Sequence, residues 1–305
     1  MSKLILIDGN AILHRAYHAL PPLTTKSGQP INAVYGLVSM LLRVIQDLKP
    51  THIAIAFDRK EPTFRQKEYK DYQAQRPAMD KELSGQFEKA KDVAFAMRIP
   101  VYERAGYEAD DLLGSMAKQS TAISNNNSTV DEVVIVTGDR DILQLVDKKI
   151  RVYMPIRGLS EGKLFAPEDV KEKMGVLPEQ IIDLKALIGD SSDNYKGIPG
   201  IGPKTAVNLL EKYKSFENIY KKLDDIPAAT KTKLEVGMDS GKMSQRLAKI
   251  VTDMELDTDL EKASYWQVDN PQVLDLFSQF GFRTLTNRVK EVGKLIVSEN
   301  QTRLF

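Results

Sequence analysis

The sequence predicts an α/β protein, with a mostly parallel central sheet and flanking helices followed by a C-terminal helical region. Three observations carry that reading. Short Ile/Val-rich runs alternate with amphipathic stretches through the first half of the 305 residues, strand signals fade after residue 165, and acidic residues recur just where the apolar runs end. Parallel strands joined through helices leave their carboxyl ends along one edge of the sheet, and open sheets of this kind bind ligands outside that edge.

In chain order, the strand-like runs are 3–7, 52–57, 99–102, 133–136 and 150–153, and amphipathic stretches at 33–47, 81–97 and 110–119 separate them as covering helices. Asp8 closes the first run and Asp58 the second. Glu108, Asp110 and Asp111 follow the third after a short glycine-containing loop, and Asp139 and Asp141 follow the fourth through Thr137 and Gly138. Further on, 167–174, 178–188, 203–213, 216–223, 228–236, 240–253 and 271–280 read as helices. Several open on proline, whose missing N–H costs nothing in a first turn. The expected organisation is an α/β unit over 1–165, a helical region over 166–290 and a tail over 291–305.

Composition narrows the chemistry. With 42% hydrophobic and 28% charged residues the chain can bury ordinary cores, so disorder is not expected. The absence of cysteine excludes disulfides and thiolate zinc sites, and three histidines (His14, His18, His52) are too few for a histidine-rich metal site. What remains for a metal is oxygen. Asp8, Asp58, Glu108, Asp110, Asp111, Asp139, Asp141, Asp190 and Asp193 are the candidates. Carboxylates converging at strand ends repel one another and stay ionised beside a cation, so the pattern predicts hard divalent ions, Mg²⁺ or Mn²⁺, and through them a phosphate substrate. Single acids have plainer uses: Glu108 and Asp110 suit a helix N-terminus, and Asp193 suits a turn. The first residues lack the long apolar run of a signal peptide or membrane span, so a cytoplasmic protein is expected, and the triplets beginning at Asn126 and Asn127 read as polar loop.

Charge is nearly balanced overall, 43 basic against 42 acidic residues, but not locally. From Arg59 to Lys81, seven cations face four anions, with Phe64, Tyr69 and Tyr72 interleaved. Cations that track phosphates beside rings that stack on bases suit single-stranded nucleic acid; a solvated helix face is the alternative. Farther on, Gly197-Ile198-Pro199-Gly200-Ile201-Gly202-Pro203-Lys204-Thr205-Ala206 is a tight glycine turn feeding a helix. Its N–H groups suit a phosphate oxygen, and its glycine order is not that of a dinucleotide fingerprint; glycines serving only a sharp turn are the alternative.

Over residues 3 to 290 these segments resemble the structure-specific 5′ nucleases, in the branch found as the N-terminal domain of bacterial DNA polymerase I. The blocks that carry the resemblance are Leu6-Ile7-Asp8-Gly9-Asn10, Phe57-Asp58, Phe64-Arg65, Gly106-Tyr107-Glu108-Ala109-Asp110-Asp111, Val136 through Leu145 around Asp139 and Asp141, and Leu187 through Asn194 around Asp190 and Asp193. The resemblance implies a PIN-like nuclease fold with a helical gateway near 59–85 and a helix–hairpin–helix element at 190–213. It implies two metals, the first among Asp8, Asp58, Glu108, Asp110 and Asp111, the second among Asp111, Asp139, Asp141, Asp190 and Asp193. Two such ions about 4 Å apart orient a water against a phosphodiester and stabilise the leaving oxygen.

By the same resemblance, a free 5′ strand passes Arg65, Lys67, Lys70, Tyr72, Gln73 and Arg76. The duplex is gripped without sequence preference by Gly197, Gly200, Ile201, Gly202, Lys204 and Thr205, with a K⁺ ion on the turn's carbonyls. The family's usual Tyr-Lys-x-Asn-Arg reads here Tyr72-Gln73-Ala74-Gln75-Arg76, so a lysine near the chemistry is replaced. Lys70 or Arg76 is expected to substitute beside Asp111 and Asp139, with slower chemistry and intact binding. The implied activity is Mg²⁺-dependent 5′–3′ exonuclease and flap endonuclease action on flapped, nicked or 5′-recessed DNA, by a monomer serving primer removal and repair. A non-catalytic junction binder and a ribonuclease on the same scaffold are the rival readings. The last residues, Gln301-Thr302-Arg303-Leu304-Phe305, resemble the short peptides by which bacterial replication proteins dock on the sliding clamp.

Overall fold

The structure, a computed structural model, describes residues 1–122, 129–158 and 161–302. The polar triplets at 126–129 fall largely outside that range. So do 303–305 of the clamp-like tail.

The first half runs β1 (Lys3–Asp8), α1 (Gly9–Ala19), α2 (Asn32–Leu48), β2 (His52–Ala56), α3 (Phe64–Glu68), α4 (Lys81–Ala96), β3 (Val101–Tyr102), α5 (Ala109–Thr121), β4 (Glu132–Val136), β5 (Ile150–Arg157) and β6 (Glu161–Phe165). Among the described residues these strands form a six-stranded sheet in the order β3-β2-β1-β4-β5-β6. Its neighbours are parallel except for β6, which runs antiparallel to β5. The sheet is covered on both faces, which is why its strands are continuous apolar runs and not alternating ones. Leu4, Leu6, Val133 and Ile135 point into one core, while Ile5, Ile7, Ile53, Ile55 and Val134 point into the other. Register pairs Ile7 with Ile55 and with Val136, so the strand ends carrying Asp8, Asp58 and Asp139 finish at one edge.

The second half contains α6 (Pro167–Met174), α7 (Ile181–Ile188), the short pair β7 (Gly189–Asp190) and β8 (Tyr195–Lys196), α8 (Pro203–Tyr213), α9 (Phe216–Lys221), α10 (Ala228–Ala248), α11 (Leu260–Ser264), α12 (Pro271–Phe280) and α13 (Arg283–Thr302). Three features differ from the sequence expectation. The stretches expected as two helices, 228–236 and 240–253, merge into the single 21-residue α10, which ends at Ala248. Its glycines are points of close approach instead of breaks: a Cβ on Gly237 would meet Ile198 Cγ2 at 2.6 Å, and one on Gly241 would meet Phe216 Cζ at 2.8 Å. Second, α1 begins directly after β1, its first turn capped by Asp8, whose Oδ1 accepts from the Ala11 N–H at 2.9 Å. Third, α12 and α13 return to the sheet. Phe277, Phe282, Leu285, Val289 and Val292 share the core of Ile5, Ile7 and α2, so the expected helical region contributes to both faces of the α/β unit.

The loop bearing Asp190 and Asp193 is closed at its base by backbone contact. A Cβ on Gly197 would lie 2.3 Å from the Gly189 nitrogen, and Ile198 N–H donates to Leu187 C=O at 2.8 Å. Only glycine admits two chains so close, and Gly189 also has φ +75°.

Candidate metal centre

A cleft of about 490 Å³ opens at the carboxyl edge of the sheet, and Asp8, Asp58, Glu108, Asp110, Asp139, Asp141 and Asp193 line it. Five separate chain segments supply them: the end of β1, the stretch just after β2, the start of α5, and the loops after β4 and β7. Asp8 is buried and fixed from two sides, accepting from Ala11 N–H and from Thr137 Oγ1 at 2.6 Å. Asp58 stands at the rim, where its Oδ1 accepts from the Ala109 N–H at 2.6 Å and its own N–H donates to Asn10 Oδ1 at 3.0 Å. Glu108 is the residue before α5, and Asp110 lies in that helix's first turn. Asp139 is held by its N–H donating to Thr137 Oγ1 at 3.0 Å, and its Oδ1 accepts from the Asp141 N–H at 2.8 Å.

Asp141, Asp190 and Asp193 form a tighter group, each offering a carboxylate oxygen within 4.8 Å of the others. Lys185, which sequence reasoning missed, lies between two of them, its Nζ donating to Asp141 Oδ1 and Asp190 Oδ2. The available signal was a lone lysine inside a mostly apolar helix, Ile181-Ile182-Asp183-Leu184-Lys185-Ala186-Leu187, where only an anion compensates a buried charge. Asp193 is held by the stretch expected as the helical gateway, which is turn and not helix over 69–80: Arg76 Nη2 donates to its Oδ1 at 2.5 Å, Gln73 Nε2 to the same oxygen at 3.2 Å, and the Tyr72 hydroxyl to Oδ2 at 3.2 Å.

Several expected roles are corrected by this geometry. Asp111, expected as a ligand to both metals, is fully buried beneath the cleft, with both oxygens occupied by Arg65 at 2.7 and 2.8 Å. Arg65, expected at the DNA, is 2% exposed and turned inward to Asp111. Tyr72, expected as a base-stacking platform, is buried against Tyr195, ring centroids 6.3 Å apart and stacked. Of Lys70 and Arg76, expected to substitute for the missing lysine, Lys70 is exposed and Arg76 lines the cleft. Lys67 is likewise exposed on α3. At the hairpin, Gly200, Gly202 and Lys204 are exposed at the start of α8 and Thr205 is half-buried, while Gly197 and Ile201 are buried and shape the turn from within.

The charge balance of the cleft is unfavourable without a cation. Burial pushes the Asp8 carboxyl up to about 7, with Asp58 and Asp139 adding to the rise against the bonds from Ala11 and Thr137. Burial likewise raises Glu108 to about 7 against the pull of Arg65, and Asp141 to about 6 against Lys185. Asp110 lies well above the usual carboxylate range, through burial and then Asp139 and Asp8, and Asp58 is raised by the protein packed around its carboxyl. Among the described residues, Asp8, Asp58, Asp110 and Asp139 have no ion-pair partner. Oxygen donors that lack protein cations and resist ionisation are the donor set of a hard divalent ion, and they fit one.

Two family models cover residues 3–271. A family model described as the N-terminal resolvase-like domain of 5′–3′ exonuclease matches residues 3–175, and one described as the C-terminal SAM fold of 5′–3′ exonuclease matches 176–271. The chain belongs to the 5′–3′ exonuclease family. It is 41% identical over 289 residues to DNA polymerase I of Caldicellulosiruptor bescii, an alignment covering 94% of this chain and 33% of that protein. The chain thus spans about a third of the length of the curated relatives it matches. Among solved structures it resembles the 5′-exonuclease of bacteriophage T5 with bound zinc ions, with TM-score 0.65, 20% identity, and coverage of 96% of this chain and 99% of that one. It also resembles a T5 flap endonuclease complex with DNA and metal ions, with TM-score 0.63, 21% identity, and coverage of 96% and 99%. These two likenesses establish the fold of this exonuclease-family chain, a mostly parallel sheet with a helical C-terminal region.

The raised carboxyls set a pH dependence. Asp8, Glu108 and Asp141 bind protons more tightly folded than unfolded, so metal-free stability is greatest below their ordinary range near pH 4 and falls as pH rises through about 6 to 7. A divalent ion that binds the ionised, folded site opposes that loss. Thermal melting in EDTA is expected to drop between about pH 5 and pH 8, with Mg²⁺ restoring more stability at the upper end; a Mg²⁺ effect equal at both ends contradicts this.

Proposed function

We propose that the chain is a Mg²⁺-dependent 5′–3′ exonuclease and 5′-flap endonuclease, hydrolysing DNA phosphodiesters in primer removal and repair. The observation that carries the reading is the meeting of seven acids in one cleft beside the gateway residues Gln73 and Arg76. A phosphate-gripping turn follows four residues after Asp193. Asp8, Asp58, Glu108, Asp110 and Asp139 would hold one metal, and Asp139, Asp141, Asp190 and Asp193 a second, with Mn²⁺ able to replace Mg²⁺ on the same oxygen donors. Bound there, the ions supply Lewis acidity for attack of water on the phosphodiester.

The chain's own groups do the rest. Arg76 is the cation that meets the scissile phosphate, from a position where it now bonds Asp193. Exposed N–H groups at the start of α8, with Lys204 and Lys196, hold the duplex backbone and leave base sequence unread. A K⁺ ion would take the remaining carbonyl lone pairs of this turn, where Lys196 C=O accepts from Ser240 and Ser244, Gly197 C=O from Ser240 and Gly200 C=O from Lys233 Nζ at 3.2 Å.

Cleavage of a labelled 5′-flap substrate in Mg²⁺ and its loss in EDTA test the reading. Asp139→Ala is expected to cut about 100-fold or more slowly while binding the flap junction as before. Junction binding by the unaltered protein without cleavage at any metal concentration would identify a non-catalytic binder instead. Because Gln73 gives the cleft a neutral amide where the family resemblance expects a cation, Gln73→Lys is expected to raise the single-turnover rate about fivefold with unchanged flap affinity. An unchanged or lower rate counts against that assignment. We also infer that Leu304 and Phe305 are paired apolar anchors for the sliding clamp; deletion of 301–305 should abolish clamp binding and leave cleavage of free flap DNA intact.

A further inference from the structure

We propose that Arg65 is a positioning residue of the cleavage reaction: its guanidinium sets Glu108 at the cleft and clamps the acid-bearing start of α5 to the end of α10, the helix that supports the hairpin turn. The proposal rests on the nuclease reading of the cleft.

A guanidinium has five N–H donors and cannot shed its charge, so a buried one demands five acceptors in fixed directions. Arg65 is 2% exposed and has all five. Nε donates to Leu247 C=O at 2.9 Å. Nη1 donates to Asp111 Oδ2 at 2.7 Å and to Glu108 Oε2 at 3.0 Å. Nη2 donates to Asp111 Oδ1 and to Lys249 C=O, both at 2.8 Å. Asp111 is equally saturated, since Oδ1 also accepts from Val251 N–H at 2.9 Å and Oδ2 from Glu108 N–H at 3.2 Å. Its carboxylate serves as the anchor of the clamp and offers nothing to the cleft.

Glu108 is different. Its Oε2 takes Arg65 and the Tyr72 hydroxyl, whereas Oε1 accepts no hydrogen bond among the described residues, and the side chain lines the cleft. Arg65 therefore fixes the direction in which Glu108 offers its remaining oxygen. The two carbonyls it holds lie at the end of α10, and Ser240 and Ser244 of that helix bond the Lys196 carbonyl at 2.7 and 2.8 Å. One hydrogen-bonded path thus runs from the duplex-facing turn through α10 and Arg65 to Glu108.

A lysine retains the charge but cannot bridge a carboxylate bidentately and two carbonyls together. The test is a double-mutant cycle on the single-turnover cleavage rate at saturating Mg²⁺, with Arg65→Lys, Glu108→Gln and the double variant. Arg65→Lys is expected to lose about 30-fold in rate with flap affinity held within about threefold, and the double variant is expected to be little slower than the slower single one. A residue that merely stabilises the fold gives losses that multiply, and multiplying losses overturn the proposal. If Arg65→Lys lacks a cooperative melting transition, the neutral pair Arg65→Gln with Asp111→Asn takes its place in the cycle, with the same two outcomes. Absence of cleavage by the unaltered protein would refute the nuclease reading itself, a different result from cleavage without coupling.

Discussion

Like charges brought together in a partly buried cleft are the constraint on which the rest of this structure depends. Carboxylates from the sheet edge, α5 and the β7 loop meet where burial disfavours their ionised forms, and the protein answers with cations in only part of the site. Arg65 neutralises Asp111 and reaches Glu108, Lys185 bridges Asp141 and Asp190, and Arg76 pairs with Asp193. Among the described residues nothing comparable reaches Asp8, Asp110 or Asp139, whose charge is left for an external cation to balance. The site is consequently graded: one side is already supplied with protein cations and the other depends on what it binds.

The fold makes such a concentration of charge affordable because several of the acids also have a structural use. Asp8 caps α1, Asp58 accepts from the first N–H of α5, and Asp139 and Asp190 order their own loops by accepting backbone N–H groups. A carboxylate that accepts backbone bonds is fixed in orientation before any metal arrives, which limits the reorganisation that binding requires. Close backbone approach serves the same end. Gly9 leaves room for the Phe57 ring, which a Cβ would meet at 2.2 Å, and this contact sets the spacing between the ends of β1 and β2, where Asp8 and Asp58 stand.

Much of this was legible in the sequence because parallel strands advertise themselves as apolar runs and because their carboxyl ends are where the acids fall. Less legible was anything that depends on three-dimensional neighbours. The glycines of α10 read as helix breaks because helix propensity penalises glycine, but tight packing on Ile198 and Phe216 overrides propensity there. β6 escaped notice because Gly162 and Lys163 interrupt an edge strand whose pairing comes from β5. The Arg59 to Lys81 stretch looked like a uniform basic surface, yet the structure sorts it residue by residue: Arg65 and Tyr72 turn inward to the acids, Lys67 and Lys70 stay in solvent, and Arg76 faces the cleft. Composition gives the sum of a segment's charges and says nothing of which face each one takes.

That sorting bears on why a glutamine is tolerable at position 73. The gateway is latched to the acids it leads to, since the Tyr72 hydroxyl bonds both Glu108 Oε2 at 3.3 Å and Asp193 Oδ2 at 3.2 Å, and Gln73 N–H donates to Asp193 C=O at 2.9 Å. Asp193 already has a full cation in Arg76. A neutral amide donor completes its hydrogen bonding without adding a second positive charge, and so leaves more of its carboxylate field to attract a metal. A lysine in the same place would gain attraction for a phosphate and lose attraction for the ion next to it. On the nuclease reading the glutamine thus moves electrostatic weight from substrate to metal within one cleft, and the left-handed backbone of Gln73, φ +58°, is the conformation that lets its side chain and its N–H reach the same aspartate.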